Sequence, residues 1–351
     1  MWTKDLQEQQ LAVIQGKKAP TIVIQNVTYL HAFFKQWKVG NIWIDGDRIV
    51  YVGTEMPNML EGTEVIDGSE RYAVPGYIEP HTHPAQLYNM ESFANYAAQT
   101  GTTGFISDNL LLHMQFDEET NEAMHDELQR LPYALYWWSR LDSQTALHDE
   151  AHYFNREKLK RWMARPDVIM GGEVTAWPVL LNGDERMSNM VALAKQNGLK
   201  VEGHLPGASE RTLAQLKLLG IDGDHESMTL EDVEKRLQHG YAVTLRHSSI
   251  RPDLADMLKG VIEEGWDVWD QFMMTTDGSS PLFHETGVIN DCIQVAIDVG
   301  VEPMHAYLMA SYNPARYYNL SETLGVIATG RRAMINLLQD PRDATPVSVL
   351  S

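Results

Sequence analysis

Apolar and polar positions along the chain fall into two textures. From Thr21 to Ala73, short β-like runs such as "TIVIQNVTYL" and "VGNIWIDGDRIVYVG" are separated by turns, and Asp45-Gly46-Asp47 predicts a tight hairpin. From Val74 onward, apolar runs of strand length alternate with longer segments of helical periodicity. Eight of these runs end on a polar side chain: "VPGYIEPHTH" at His83, "TTGFISD" at Asp108, "YALYWWSR" at Arg140, "DVIMGGE" at Glu173, "LKVEGH" at His204, "GIDGDHE" at Glu226, "AVTLRH" at His247 and "DQFMMTTD" at Asp277. Between them, "MESFANYAAQT", "DEETNEAMHDELQR", "ERMSNMVALAKQNG", "SERTLAQLKLLG" and "TLEDVEKRLQHG" predict helices, several closed by glycine just past the last turn.

Eight strand-then-helix units over roughly 240 residues predict an α/β fold, a closed parallel (β/α)8 barrel of the TIM type, with its chemistry at the C-terminal strand ends. An open doubly wound sheet is the rival, but its dinucleotide-binding form needs a G-x-G-x-x-G after the first strand, which is missing here. The expected organisation is a helix and small β-sandwich module over 1–73, the barrel over 74–312, and a return segment over 313–351. In that segment "RAMINLL" predicts a strand that rejoins the first sheet. The tail "DPRDATPVSVLS" stops after opening another β-like run, so the chain is expected to be C-terminally short.

The barrel reading changes what the histidines mean. His81 and His83, two apart on an extended chain, point the same way, but a lone His-x-His is weak evidence of a metal site. At the mouth of a barrel the pair is joined by Glu173, His204, His225 and Asp277, giving four imidazoles and two carboxylates. Such a set, without thiolates, suits one or two borderline divalent cations such as zinc, manganese or iron. Two cations about 3.5–4 Å apart stabilise a bridging hydroxide, and a carboxylate beside it can carry the proton to a leaving group. Asp277 is the candidate for that carboxylate.

Charge and cysteine content narrow the partners. Lys and Arg total 28 against 48 Asp and Glu, a net charge of -20, which repels nucleic acid and anionic membranes. The single cysteine, Cys292, excludes an intramolecular disulfide and any multi-cysteine metal site. No apolar run approaches the roughly 20 residues of a membrane span. A cytoplasmic location, a small-molecule substrate and a homo-oligomer are the expectations.

Five stretches, "VPGYIEPHTH", "GGEVTAWPVLLNGD", "VEGHLPG", "GDHES" and "TTDG", resemble the adenine deaminases of the amidohydrolase superfamily in order and spacing, over about Val23 to Leu338. The resemblance implies a (β/α)8 barrel with a binuclear centre that converts adenine and water to hypoxanthine and ammonia through a metal-bound hydroxide. It implies His81 and His83 as ligands of one metal, Glu173 as the bridge, His204 and His225 as ligands of the other, and Asp277 as ligand and proton shuttle. A glutamate at 173, where many relatives in the superfamily carry a carboxylated lysine, favours the adenine deaminase branch.

The sequence also departs from that family. Pro84, Ala85, Gln86 and Leu87 replace the usual Ile-Glu-Ser-Ser stretch. Asp108, Asn109, Leu110 and Leu111 replace Asp-Pro-His-Glu, Gly278 stands where a second aspartate is usual, and Met334 replaces an acidic residue. The metal shell is kept and the substrate shell is changed. A hydrolase of another cyclic amidine or amide, and a catalytically silent ligand-binding barrel, are therefore carried as alternatives. Among further candidates, Glu226 either assists catalysis beside His225 or caps the next helix. Asp108, Trp177 and Arg246 are candidate substrate contacts. Of Trp137 and Trp138, one should face the barrel interior and the other the helices.

Overall fold

The computed structural model describes residues 3–58 and 60–351. A helix, Lys4–Ile14, capped by the Thr3 hydroxyl, precedes β1 (Ile22–His31), β2 (Gln36–Asp45), β3 (Arg48–Gly53), β4 (Glu64–Asp67) and β5 (Tyr72–Pro75). The hairpin between β2 and β3 turns at Gly46-Asp47 with Asp45 opposite Arg48. Gly46 adopts a φ of 60°, the left-handed conformation such a two-residue turn requires. β1 forks the sheet, pairing in its first half with β4 and in its second with β5. The fork lies at Asn26, whose N–H is taken by the Asn41 side chain at 2.8 Å.

Eight parallel strands follow: β6 (Tyr77–Thr82), β7 (Thr102–Ser107), β8 (Ala134–Ser139), β9 (Val168–Val174), β10 (Lys200–Gly203), β11 (Gly223–Asp224), β12 (Ala242–Arg246) and β13 (Phe272–Thr275). Each pairs with the next. All eight end within two residues of the polar side chain that closes the corresponding apolar run. β6 and β7 are buried along their whole length and β8 at every position but Tyr136, which parallel strands flanked by helices outside and side chains inside demand. The five predicted helices form at Met90–Gln99, Glu118–Leu128, Glu185–Gln196, Glu210–Leu219 and Leu230–Gln238.

Side chains bridge the seam between β13 and β6. Glu79, fully buried, accepts the His81 N–H at 3.0 Å, the Thr276 N–H at 2.9 Å and the Thr276 hydroxyl at 2.7 Å. The Thr275 hydroxyl lies 2.5 Å from Glu79 Oε1 and 2.7 Å from the His81 carbonyl.

Inside the barrel, Ile78, Ile106, Trp138, Met170 and Met273 pack into one core, closed by Tyr318, Leu324 and Met334 from the chain that follows. Trp138 faces inward, while Trp137 packs outward against His125, ring centroids 4.2 Å apart. The strand read in "RAMINLL" is β14 (Ile335–Leu338). It pairs antiparallel with β5 and with β15 (Ser348–Leu350), giving a sheet order of β15-β14-β5-β1-β2-β3. Among the described residues, no helix is long and apolar enough to cross a membrane.

Candidate metal centre

Four imidazoles meet at the mouth of the barrel in two pairs. From the end of β6, His81 Nε2 and His83 Nε2 lie 3.2 Å apart. From the ends of β10 and β11, His204 Nδ1 and His225 Nε2 lie 3.2 Å apart. Glu173, 1% exposed on β9, stands between them and divides its oxygens. Its Oε1 approaches His204 at 2.8 Å and His225 at 3.7 Å. Its Oε2 approaches His83 at 3.7 Å and His81 at 3.9 Å.

Asp277 enters from the other side, with Oδ1 3.1 Å from His83 Nε2 and 3.6 Å from His81 Nε2. It holds a left-handed φ of 53°, a conformation that aspartate tolerates better than most residues and that often marks a functional position. Gly278 follows, and a side chain there would begin 3.3 Å from the His83 ring. Glycine at 278 thus lets the His83 ring pack closely against the backbone.

Around this shell, the sequence candidates take distinct places. Asp108 is buried behind His83, holding its Nδ1 at 3.0 Å and receiving Arg140 through two nitrogens at 3.0 and 3.2 Å. It contacts a histidine and a guanidinium rather than the open pocket. Arg246 donates to Glu226 Oε1 at 2.6 Å and to Asp277 Oδ2 at 2.8 Å, so it also ties carboxylates. Glu226 lies 3.4 Å from His204 Nδ1. It does not cap the next helix, whose N-terminus is closed by a Thr229 and Asp232 capping box. Trp177 starts the short helix Trp177–Leu181 just past Glu173 and is half-buried.

Three further residues shape the site. Arg140 donates to the Glu173 carbonyl at 3.0 Å and lies 3.4 Å from its carboxylate. Asp142 accepts the Thr175 and Ala176 N–H groups at 2.9 and 3.0 Å, fixing the loop that carries Trp177. Glu202 lies beneath two of the histidines. The i, i+2 spacing of Glu202 and His204 in "VEGH" carried the same face signal as His81 and His83. Arg140 was visible as a strand end.

The charge balance of this donor set suits cations. Asp108, Glu173, Glu226 and Asp277 face the guanidiniums of Arg140, Arg246 and, at 3.6 Å, Arg251, while Glu202 faces only histidines and a tyrosine hydroxyl. Without a metal, protons fill the deficit. Burial opposes charge on His83, yet hydrogen bonds to Asp108 and Asp277 raise its pKa to about 10. His225 is likewise raised against burial to about 9, by Glu202 and the Glu173 charge. Glu173 and Asp277 are held well below the usual carboxylate range despite burial, chiefly by Arg140 and by His83 respectively.

A pH signature follows. An imidazole whose pKa is higher in the folded state stabilises the fold below its ordinary value of 6.5, and that contribution disappears as pH rises through 9 to 10. The melting temperature of chelator-stripped protein is therefore expected to fall between pH 7 and 10. Metal-loaded protein, whose imidazoles are already deprotonated, should fall less. A stripped protein that gains stability over this range would contradict the charge balance.

Residues 72–351 match the model of the amidohydrolase family, and the chain belongs to that family. It is 49% identical over 350 residues to a Bacillus cereus protein named "Putative adenine deaminase", and 45% identical over 348 residues to a Bacillus subtilis protein of the same description. These alignments cover 100% and 99% of this chain but 59% and 60% of the relatives, so the chain spans about three fifths of their length. Among solved structures, a β-aspartyl dipeptidase from Fervidobacterium islandicum AW-1 superimposes with a TM-score of 0.70 at 17% identity, over 94% of this chain and 95% of that one. At that identity the likeness shows the fold.

Proposed function

We propose that this chain is a metal-dependent hydrolytic deaminase whose substrate is adenine or a closely similar aminated heterocycle, yielding hypoxanthine and ammonia from adenine. The observation that carries the reading is the division of Glu173 between the two histidine pairs, with Asp277 beside one of them. The similarity to the Bacillus proteins supports the choice of substrate.

In this reading His81, His83 and Asp277 would hold one cation and His204 and His225 a second, with Glu173 placed to serve both pairs. Bound manganese, iron or zinc would supply Lewis acidity and bring the pKa of water towards neutrality. Asp277 takes a proton as the oxygen of water bonds to the amino-bearing carbon, then returns it to the nitrogen as the carbon–nitrogen bond breaks and ammonia leaves. Arg246 fixes the orientation of Asp277 through Oδ2. Glu226, oriented by Arg246, faces the His204 side, where it can accept a hydrogen bond from the heterocycle. Trp177 offers a ring face to a planar substrate.

Ammonia release across a panel of aminopurines, measured on protein stripped and reloaded with manganese, iron or zinc, tests the assignment. Turnover of adenine that depends on added metal is the expected result. Gly278, standing where a second aspartate is usual in the adenine deaminases, favours one second reading, in which the substrate is a different cyclic amidine or amide. Hydrolysis of cyclic amides with no ammonia from adenine would replace the first reading by that one. Failure to take up any metal would remove both.

A further inference from the structure

Glu202 is 1% exposed on β10, at the level where the packed barrel interior gives way to the histidines. Its Oε1 is 3.1 Å from His225 Nδ1 and 3.3 Å from His81 Nδ1. The other oxygen receives the Tyr318 hydroxyl at 3.2 Å, from the segment that fills the barrel floor. Glu202 thus touches one histidine of each pair, on the nitrogen facing away from Glu173. The Nδ1 of His81 is buried with no hydrogen-bond partner, and Glu202 Oε1, 3.3 Å away, is the acceptor at hand for it.

His83 shows the same arrangement on its own, with Nδ1 on Asp108 and Nε2 facing the centre. Three of the four imidazoles are therefore backed by a buried carboxylate. The difference is that Asp108 backs one ring and Glu202 backs two, belonging to different halves of the centre.

We propose that Glu202 is a positioning residue that fixes the Nδ1–H tautomer of both His81 and His225, so that a single carboxylate couples the two metal subsites. This rests on the assignment of those histidines as metal ligands. A proton held on Nδ1 leaves Nε2 with its lone pair towards the centre, and the negative charge behind the ring raises its basicity as a ligand. Glu202 itself is not the ligand, because Oε1 meets the outward nitrogens of both rings and Oε2 is occupied by Tyr318.

The test compares two isosteric changes by metal content and by chelator competition, at each of the two equivalents. Glu202→Gln keeps the shape and one acceptor oxygen but removes the charge, and should weaken both equivalents by about 10–100-fold. Asp108→Asn should weaken only the equivalent that His83 serves. Glu202→Asp, which keeps the charge at longer reach, should recover part of the affinity, and it substitutes if the glutamine variant does not fold. Ligand-field spectra of cobalt-substituted protein should change at both subsites in Glu202→Gln, a shift that a merely structural role would not produce. Loss confined to one equivalent, or none, in Glu202→Gln overturns the coupling. A wild-type protein that binds no metal instead removes the assignment on which it rests.

Discussion

Asp277→Asn is expected to lower kcat by about 10²–10⁴-fold, the usual range for removing a positioned acid–base group, while the protein keeps metal. Asparagine matches aspartate in size and accepts the left-handed backbone at this position, where φ is 53°. Its single oxygen can serve the side of His81 and His83 at the cost of the Arg246 contact, which lies 2.8 Å from Asp277 Oδ2, and the imidazoles and Glu173 remain to hold the cation. What it cannot do is accept a proton from water and pass it on. The check is kcat at saturating metal together with metal content on the same sample. Unchanged turnover would remove Asp277 from proton transfer. Lost metal with turnover restored by excess metal would leave it a ligand only.

Glu173→Gln should be more damaging still, because this side chain touches all four imidazoles. An amide has one accepting end, so either the His204 side or the His83 side meets an N–H donor where a carboxylate oxygen was. If the amide nitrogen replaces Oε2 it also meets Arg140, which approaches that oxygen at 3.4 Å and cannot accept. The expected outcome is loss of at least one of two metal equivalents, more than about 100-fold in affinity since the effect exceeds that of residues behind the ligands, and no measurable ammonia release. Two retained equivalents would show that Glu173 is not the bridge.

The barrel was legible because strands buried on both faces read as unbroken apolar runs, and the first polar side chain after each run marks the mouth. That rule found His83, Asp108, Glu173 and Asp277 at the ends of β6, β7, β9 and β13. It passed over Glu202 because a carboxylate inside a run reads as an interruption of the strand, although its spacing from His204 placed both on one face. Glu79 was hidden for a different reason: its partners Thr275 and Thr276 stand 196 and 197 positions later, and no local periodicity encodes a contact across that distance. The direction taken by Asp108 was equally beyond a one-dimensional reading. Its two side-chain partners, His83 and Arg140, come from the strands on either side.

The clasp at Glu79 also sets a timetable. Entropy of closure grows only slowly with loop length, by about 0.6 kcal/mol for each doubling, so distance alone does not prevent the ends of the barrel from meeting. What it fixes is sequence of events during synthesis: His81 and His83 emerge early, yet they face Asp277 only after β13 has left the ribosome and docked against β6. Until then that pair lacks the Asp277 carboxylate. Of the two histidine pairs, the one that Asp277 faces is therefore completed by the last strand, whereas Glu173, His204 and His225 take nothing from β13.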